Sequence, residues 1–387
     1  MSGFDATEVR LTWRSPLVER LREAGALRFG AVEIVLPRSF GFCWGVDRAL
    51  AMVEEARREH AGRPLWLISS IIHNPRVNED LRAKGVRFLR GEHAEPGAWE
   101  RLGPADVVIV PAFSAPVEDL QRLESRGVTV VDTTCPWVIK PHKRTLKYVK
   151  EGFTTVIHGT VGHEETAATC SLIAHEGGHF VVVDSLEQAL PLARFLEGAL
   201  DAAGLLSALP ARAFSPGFDP ARDLRRVGVI NQTTMLARES RAIGDRLRAA
   251  LAARDGANGL AESFRDFDTI CRATQDNQDA AREVAERRPD LFLVVGGYDS
   301  SNTKNLARVG DGAGVPAYHI EGPHCLEAGA IRHRDRASGR IGESLGWLPS
   351  RRPLRVALTA GASTPDALLG EVIARLLALC GEPCITE

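Results

Sequence analysis

The sequence predicts an α/β protein made of three pseudo-three-fold related domains with small, mainly parallel sheets around one central site. Three observations predict this. Apolar, β-branched runs alternate with helix-like segments along the chain, the pattern of parallel sheets covered by helices. A cysteine stands at a strand-to-helix junction three times, as Cys43, Cys135 and Cys271. A polar loop follows each of these cysteines at nearly constant distance: His73, His163 and Ser300 lie 30, 28 and 29 residues further on.

The elements follow in order. Residues 1–30 have no apolar signal-peptide core and carry Asp5, Glu8, Glu19 and Glu23, so they read as an N-terminal extension and the expected location is cytoplasmic. Domain one spans 31–134. It opens on the apolar run 31–36, reaches Cys43, and continues with a helix over 49–58. Strands at 65–70 and 106–110 then lead into the loops Ile72-His73-Asn74 and Ala112-Phe113-Ser114. The β-branched run 128–131 meets the polar break Asp132-Thr133-Thr134 and then Cys135-Pro136. Proline suits the first turn of a helix, where its missing N–H is not needed.

Domain two spans 135–270. After its helix comes a strand at 154–158 leading to His163-Glu164-Glu165, and another at 227–230 leading to Asn231-Gln232-Thr233-Thr234. Between them, 196–226 is rich in Gly and Pro and reads as a peripheral insertion. Domain three spans 271–387. It runs from Cys271 through a helix at 278–287 to strands at 291–295 and 354–358. Their loops hold Ser300-Ser301-Asn302 and Ala362-Ser363-Thr364. Residues 310–352 show no clear period and read as peripheral. The C-terminal end is expected to pack back on domain one.

Composition sets limits. The chain has 387 residues, 44% hydrophobic and 25% charged, with a formal net charge of −2. No global basic field argues for nucleic acid, and no apolar run reaches the length of a membrane span. Seven cysteines in a long chain without a secretory signal argue against a disulfide framework. Cys170, Cys325, Cys380 and Cys384 fit no motif.

The junction cysteines carry the chemistry. A helix N-terminus favours thiolate over thiol, and thiolates bind metals. A single cysteine of this kind is ordinarily a structural core residue; three repeats shift the balance. Two readings remain at this level: zinc held by the three cysteines and His73 or His163, or an iron–sulfur cluster with one open iron. Ligands drawn from three separate domains favour the cluster, because structural zinc sites draw on compact segments. Ser300, Ser301, Asn302, Ser363, His73 and His163 supply neutral donors for an anionic phosphate ester, although Ser and Asn before a helix are also ordinary caps. Glu165 is the carboxylate placed to move a proton.

Taken together, Phe42-Cys43-Trp44-Gly45, Ile72-His73-Asn74, Asp132-Thr133-Thr134-Cys135-Pro136, Gly162-His163-Glu164-Glu165, Asn231-Gln232-Thr233-Thr234, Ile270-Cys271-Arg272-Ala273-Thr274, Ser300-Ser301-Asn302 and Thr359-Ala360-Gly361-Ala362-Ser363 resemble, in order, the IspH (LytB) family, the 4-hydroxy-3-methylbut-2-enyl diphosphate reductases. The resemblance implies a trefoil of three domains and a [4Fe–4S] cluster held by Cys43, Cys135 and Cys271. It implies an allylic diphosphate substrate contacted by His73, His163, Ser300, Ser301, Asn302 and Ser363. Glu165 would be the proton donor and Thr233 its neighbour at the substrate hydroxyl. The products would be isopentenyl and dimethylallyl diphosphate, with ferredoxin or flavodoxin as electron donor. Phe113 departs from the histidine of many bacterial members and resembles the plant and cyanobacterial branch, so no histidine role passes to it. A non-catalytic iron–sulfur sensor and a zinc-dependent phosphate-ester hydrolase are the alternatives on the same scaffold.

Overall fold

The structure, a computed structural model, describes residues 13–335 and 338–384. The first twelve residues of the expected N-terminal extension lie outside that range. The chain forms two compact units: Met1–Ala61 with Ser70–Val86 and Arg272–Glu387, and Gly62–Ser69 with Arg87–Cys271.

The first unit is built on a seven-stranded sheet. Its centre is parallel: Val32–Val35 pairs with Leu354–Ala360, which pairs with Leu291–Val295, which pairs with Ala317–Ile320. Its edges are antiparallel, with Ala26–Phe29 at one end and the hairpin Ala330–Arg334/Ile341–Leu345 at the other. The central strands are apolar on both faces because helices cover both. Val32, Ile34, Leu293, Val356 and Leu358 are fully buried with Leu369, Val372, Ile373 and Leu376 of the helix Asp366–Leu379.

Two sequence expectations change here. Residues 13–30 are not a loose extension: Pro16–Ala24 is a helix capped by Ser15, and Leu17, Val18 and Leu21 join the core. Residues 310–352 are not peripheral either. They supply a parallel strand and the edge hairpin, whose Ala-Ile-Arg-His-Arg alternation hides a strand behind outward-facing charge. The run 31–36, assigned by sequence to the first domain, pairs in the sheet formed mainly by residues after 290.

The second unit holds two all-parallel four-stranded sheets. One orders Arg87–Phe88, Leu65–Leu67, Val107–Val110 and Thr129–Asp132; the other orders Phe264–Asp266, Val227–Asn231, Thr154–His158 and Phe180–Val183. Tyr148 of the helix Pro136–Lys150 lies over Gly228, where a Cβ would come within 2.5 Å of the tyrosine ring. Glycine is required there for close approach. The segment 196–226 again is more than an insertion. It folds into short helices, and its Leu205, Leu209, Ala213, Phe214 and Leu224 are buried against the sheet. Among the described residues, no helix is long and apolar enough to cross a membrane.

Candidate active-site elements

In the second unit the strands of each parallel sheet end together, and the loops beyond those ends carry the predicted residues. After Thr129–Asp132, Thr133 donates its hydroxyl to the carbonyl of Val110 at 2.6 Å, and Asp132 Oδ1 accepts from the amide of Thr134 at 2.8 Å. This turn delivers Cys135 to the N-cap of Pro136–Lys150, with no side-chain cap and with proline in the first turn. The amide of Cys135 donates to the carbonyl of Ala112 at 2.8 Å. A sulfur at this position faces the positive end of a 15-residue helix dipole.

Next to Ala112, Phe113 is buried, and its ring meets His163 edge-on at 6.2 Å between centroids. His163 caps the helix Glu164–His175: its Nδ1 accepts from the amide of Glu165 at 3.2 Å. A ring that accepts at Nδ1 carries its proton on Nε2, so the far side of His163 is a donor.

Glu165 is 3% exposed. One carboxylate oxygen accepts from the amide of Thr233 at 2.7 Å and the other from its hydroxyl at 2.8 Å. Burial pushes its pKa up to about 7 from 4.5, although both Thr233 bonds pull it down. Desolvation wins because two neutral donors do not replace the hydration of a full charge. The carbonyl of Thr233 then accepts from the amide of Cys271 at 3.1 Å. A continuous path of neighbours thus runs through Cys135, Ala112, Phe113, His163, Glu165, Thr233 and Cys271.

Two further residues on this side, to which the sequence reading gave no role, hold the loops together. Gln232 Oε1 accepts from the amide of Thr160 at 2.9 Å and from the Thr166 hydroxyl at 3.1 Å, tying the histidine loop to the Thr233 loop. Thr269 bonds both backbone groups of Asn231. A buried Gln beside a strand end was the available signal for the first; a lone Thr offers none.

The first unit has a matching set. The amide of Cys43, the N-cap of Trp44–Glu59, donates to the carbonyl of Ala362 at 3.2 Å. The amide of Ala362 donates to Asn302 Oδ1 at 2.9 Å, and Asn302 Nδ2 donates to Thr274 Oγ1 at 3.4 Å. Ser300 Oγ accepts from the amide of Thr303, so it caps Ser301–Gly312. Ser363 donates to the carbonyl of His73 at 3.3 Å and lies 3.5 Å from Ser300 Oγ. Ser300, Ser301, Asn302 and Ser363 are all buried. The loops are drawn tight: a Cβ on Gly361 would fall 2.1 Å from Thr303 Oγ1, and one on Gly297 2.5 Å from the carbonyl of His73. Such packing places hydroxyls, an amide and helix-terminal N–H groups in one small region, which suits phosphate oxygens.

The structure therefore gathers Cys43, His73, Ser300, Ser301, Asn302 and Ser363 in one unit, and Cys135, His163, Glu165, Thr233 and Cys271 in the other. The three junction cysteines have the donor chemistry of a soft-metal or iron–sulfur centre. Each stands immediately before a helix, is partly exposed, and has its backbone amide held by a carbonyl, which fixes the main chain behind the sulfur.

A family model described as LytB protein matches residues 34–377. The 4-hydroxy-3-methylbut-2-enyl diphosphate reductase of Gloeobacter violaceus is 42% identical over 97% of this chain and 89% of its own length. That of Thermosynechococcus vestitus is 41% identical, covering 95% and 90%. Among solved structures, the E-1-hydroxy-2-methyl-but-2-enyl-4-diphosphate reductase from Plasmodium falciparum superposes with a TM-score of 0.64 at 21% identity, covering 89% of this chain and 87% of that one. A second reductase, described as the terminal enzyme of the non-mevalonate pathway, gives 0.52 at 24% identity, covering 90% and 99%. These last two establish the shared α/β fold.

Proposed function

The chain belongs to the LytB family, and on that premise we propose that it removes the hydroxyl of 4-hydroxy-3-methylbut-2-enyl diphosphate reductively, forming isopentenyl and dimethylallyl diphosphate in the last step of the methylerythritol phosphate route. The reaction takes one substrate, two electrons and two protons to one product and one water.

Cys43, Cys135 and Cys271 would hold a [4Fe–4S] cluster. When bound, that cluster supplies electrons singly and a Lewis-acidic iron for the substrate oxygen. His73, Ser300, Ser301, Asn302 and Ser363, with the Nε2–H of His163, would hold the diphosphate. These donors are remote from the bond that breaks, so binding energy positions the reacting carbon.

The observation that carries the reading is the state of Glu165. A carboxyl raised to about 7 keeps its proton over much of the neutral range and can give it to a leaving hydroxyl. A proton on the oxygen facing Thr233 Oγ1 reverses the sense of that bond. The Thr233 hydroxyl then points its own hydrogen onward, toward a substrate oxygen. Threonine is thereby a relay as well as an anchor.

An acidic carrier such as ferredoxin or flavodoxin would bring the electrons. A cytoplasmic setting suits the chain, since no disulfide links its described cysteines. Anaerobic turnover of the diphosphate with dithionite and a viologen tests the proposal. The expected outcome is both five-carbon diphosphates, from a protein that contains iron and sulfide. A protein with a full cluster and no turnover would overturn it.

A further inference from the structure

The helix Pro136–Lys150 has a feature the proposed chemistry does not use. The whole chain contains only six lysines, at 84, 140, 143, 147, 150 and 304, and four of them lie on this one helix. No Asp or Glu occurs within it. At about 100° per residue, Pro136, Lys140, Lys143, Lys147 and Lys150 share one face, and all five are exposed. Val138, Pro141, Thr145 and Tyr148 face the opposite way and are buried. The four ammonium groups therefore form a stripe roughly 15 Å long at 1.5 Å per residue. Its head is Pro136, the residue after Cys135.

These cations are poorly neutralised. Lys147 faces Glu151 at a loose 3.6 Å, and Lys140 lies over the Trp137 ring at 4.4 Å. Elsewhere the protein uses arginine in close, forked carboxylate pairs, such as Arg246 with Glu197 and Arg22 with Asp366. Lysine differs in kind. Its compact, strongly hydrated charge steers a partner without locking it in bidentate geometry. That suits an encounter that must form and break twice in each catalytic cycle.

We propose that this lysine stripe is the docking surface for an acidic one-electron carrier protein, with Cys135 at its head as the point of electron entry. The proposal rests on the reductase reading. In each encounter the carrier would give up one electron to the cluster that Cys43, Cys135 and Cys271 would hold, and two encounters would complete a turnover. Charge complementarity selects the partner: a net-acidic protein meets an unbalanced basic surface on a helix that starts at a proposed ligand position.

The test uses the cluster-loaded full chain, with a plant-type [2Fe–2S] ferredoxin kept reduced by its reductase as the probe. Three proteins are compared with wild type: Lys143→Glu/Lys147→Glu, Lys143→Arg/Lys147→Arg, and Arg238→Glu/Arg241→Glu. The last pair is exposed on the helix Ala237–Ser263 and matches the charge change. Two readouts are taken: turnover with ferredoxin against turnover with dithionite, and the affinity of oxidised ferredoxin for the protein in the absence of substrate. The expected result is at least a tenfold rise in the KM and Kd for ferredoxin in the lysine-to-glutamate variant alone, with dithionite-driven turnover unchanged. The wild-type affinity should also fall steeply with salt. Equal loss in the Arg238/Arg241 control, or no change in either ferredoxin readout, overturns the docking surface. So does tighter binding of an anionic vesicle or an oligonucleotide to the stripe than of ferredoxin. Failure of the wild type with dithionite would count against the reductase reading instead, and the affinity measurement still decides the surface.

Discussion

Glu165 grips Thr233 twice, through the amide at 2.7 Å and through the hydroxyl at 2.8 Å. The pair joins the histidine loop to the loop after Val227–Asn231, whose Thr233 carbonyl also accepts from the amide of Cys271. One carboxyl is therefore a structural clasp, and in the proposed reaction it would also be the reserve of a proton.

Replacing Glu165 by Gln keeps size and much of the clasp but removes the transferable proton. Turnover should fall by about 10²–10⁴, the usual worth of general acid catalysis. Iron content should be unchanged, and substrate should still perturb the cluster's EPR or Mössbauer spectrum. Turnover within about threefold of wild type, far short of that factor, would rule out the proton-donor role.

The same residue sets a pH dependence. Its carboxyl is raised to about 7 in the folded protein from an ordinary 4.5. In the proposed reaction the acid form is the active one, so kcat should hold below pH 7 and decline above it. Stability follows the same sign. The folded state binds this proton more tightly than the unfolded chain, so its contribution is full below pH 4.5 and is lost as pH rises through about 7. Chemical denaturation across that window should show wild type losing stability relative to Glu165→Gln as pH rises, and not as it falls.

Thr233→Val removes the hydroxyl donor while keeping the amide bond. Both Thr233 bonds hold the Glu165 pKa down against burial, so losing one should move the alkaline limb of kcat to higher pH. The maximal rate should also fall if the hydroxyl relays the proton. A limb that stays in place would show that the threonine hydroxyl does not tune the acid.

Ser363→Ala and Asn302→Ala should separate two roles in the first unit. The Ser363 hydroxyl is anchored to the His73 carbonyl and the Ser300 hydroxyl. Its loss should weaken diphosphate binding by roughly 1.5–3 kcal/mol, the worth of a hydrogen bond to a charged group. Asn302 also holds the amide of Ala362, so its loss should lower thermal stability as well. Calorimetric titration and a melting curve for each variant check this.

Much of the candidate site was legible because its signals are local. Cys135, His163 and Cys271 each announce a junction by what flanks them, and parallel strands put their following loops at one end. The fold was less legible where partners are remote. Val32–Val35 pairs with Leu354–Ala360 across more than 300 residues, and nothing near residue 32 says so. The hairpin at 330–345 was hidden because an edge strand with one wet face carries arginine and histidine where a central strand carries valine. Gly and Pro in 196–226 signalled turns correctly, but leucines between the turns were burying themselves all along. The capping role of His163 was invisible because histidine seldom caps; only its contact with the Glu165 amide reveals it.

That remote pairing has a consequence for how the chain is made. The sheet of the first unit closes only when residues 354–360 reach Val32–Val35 and Leu291–Val295. A nascent chain leaving the ribosome thus carries its apolar strand Val32–Val35 paired at most with the adjacent Ala26–Phe29, and without its long-range partner, until residues 354–360 emerge. The second unit is nearly continuous in sequence, from Gly62–Ser69 and Arg87 to Cys271, and can fold well before that. Synthesis therefore imposes an order, with the late unit exposed meanwhile to whatever binds unpaired strands.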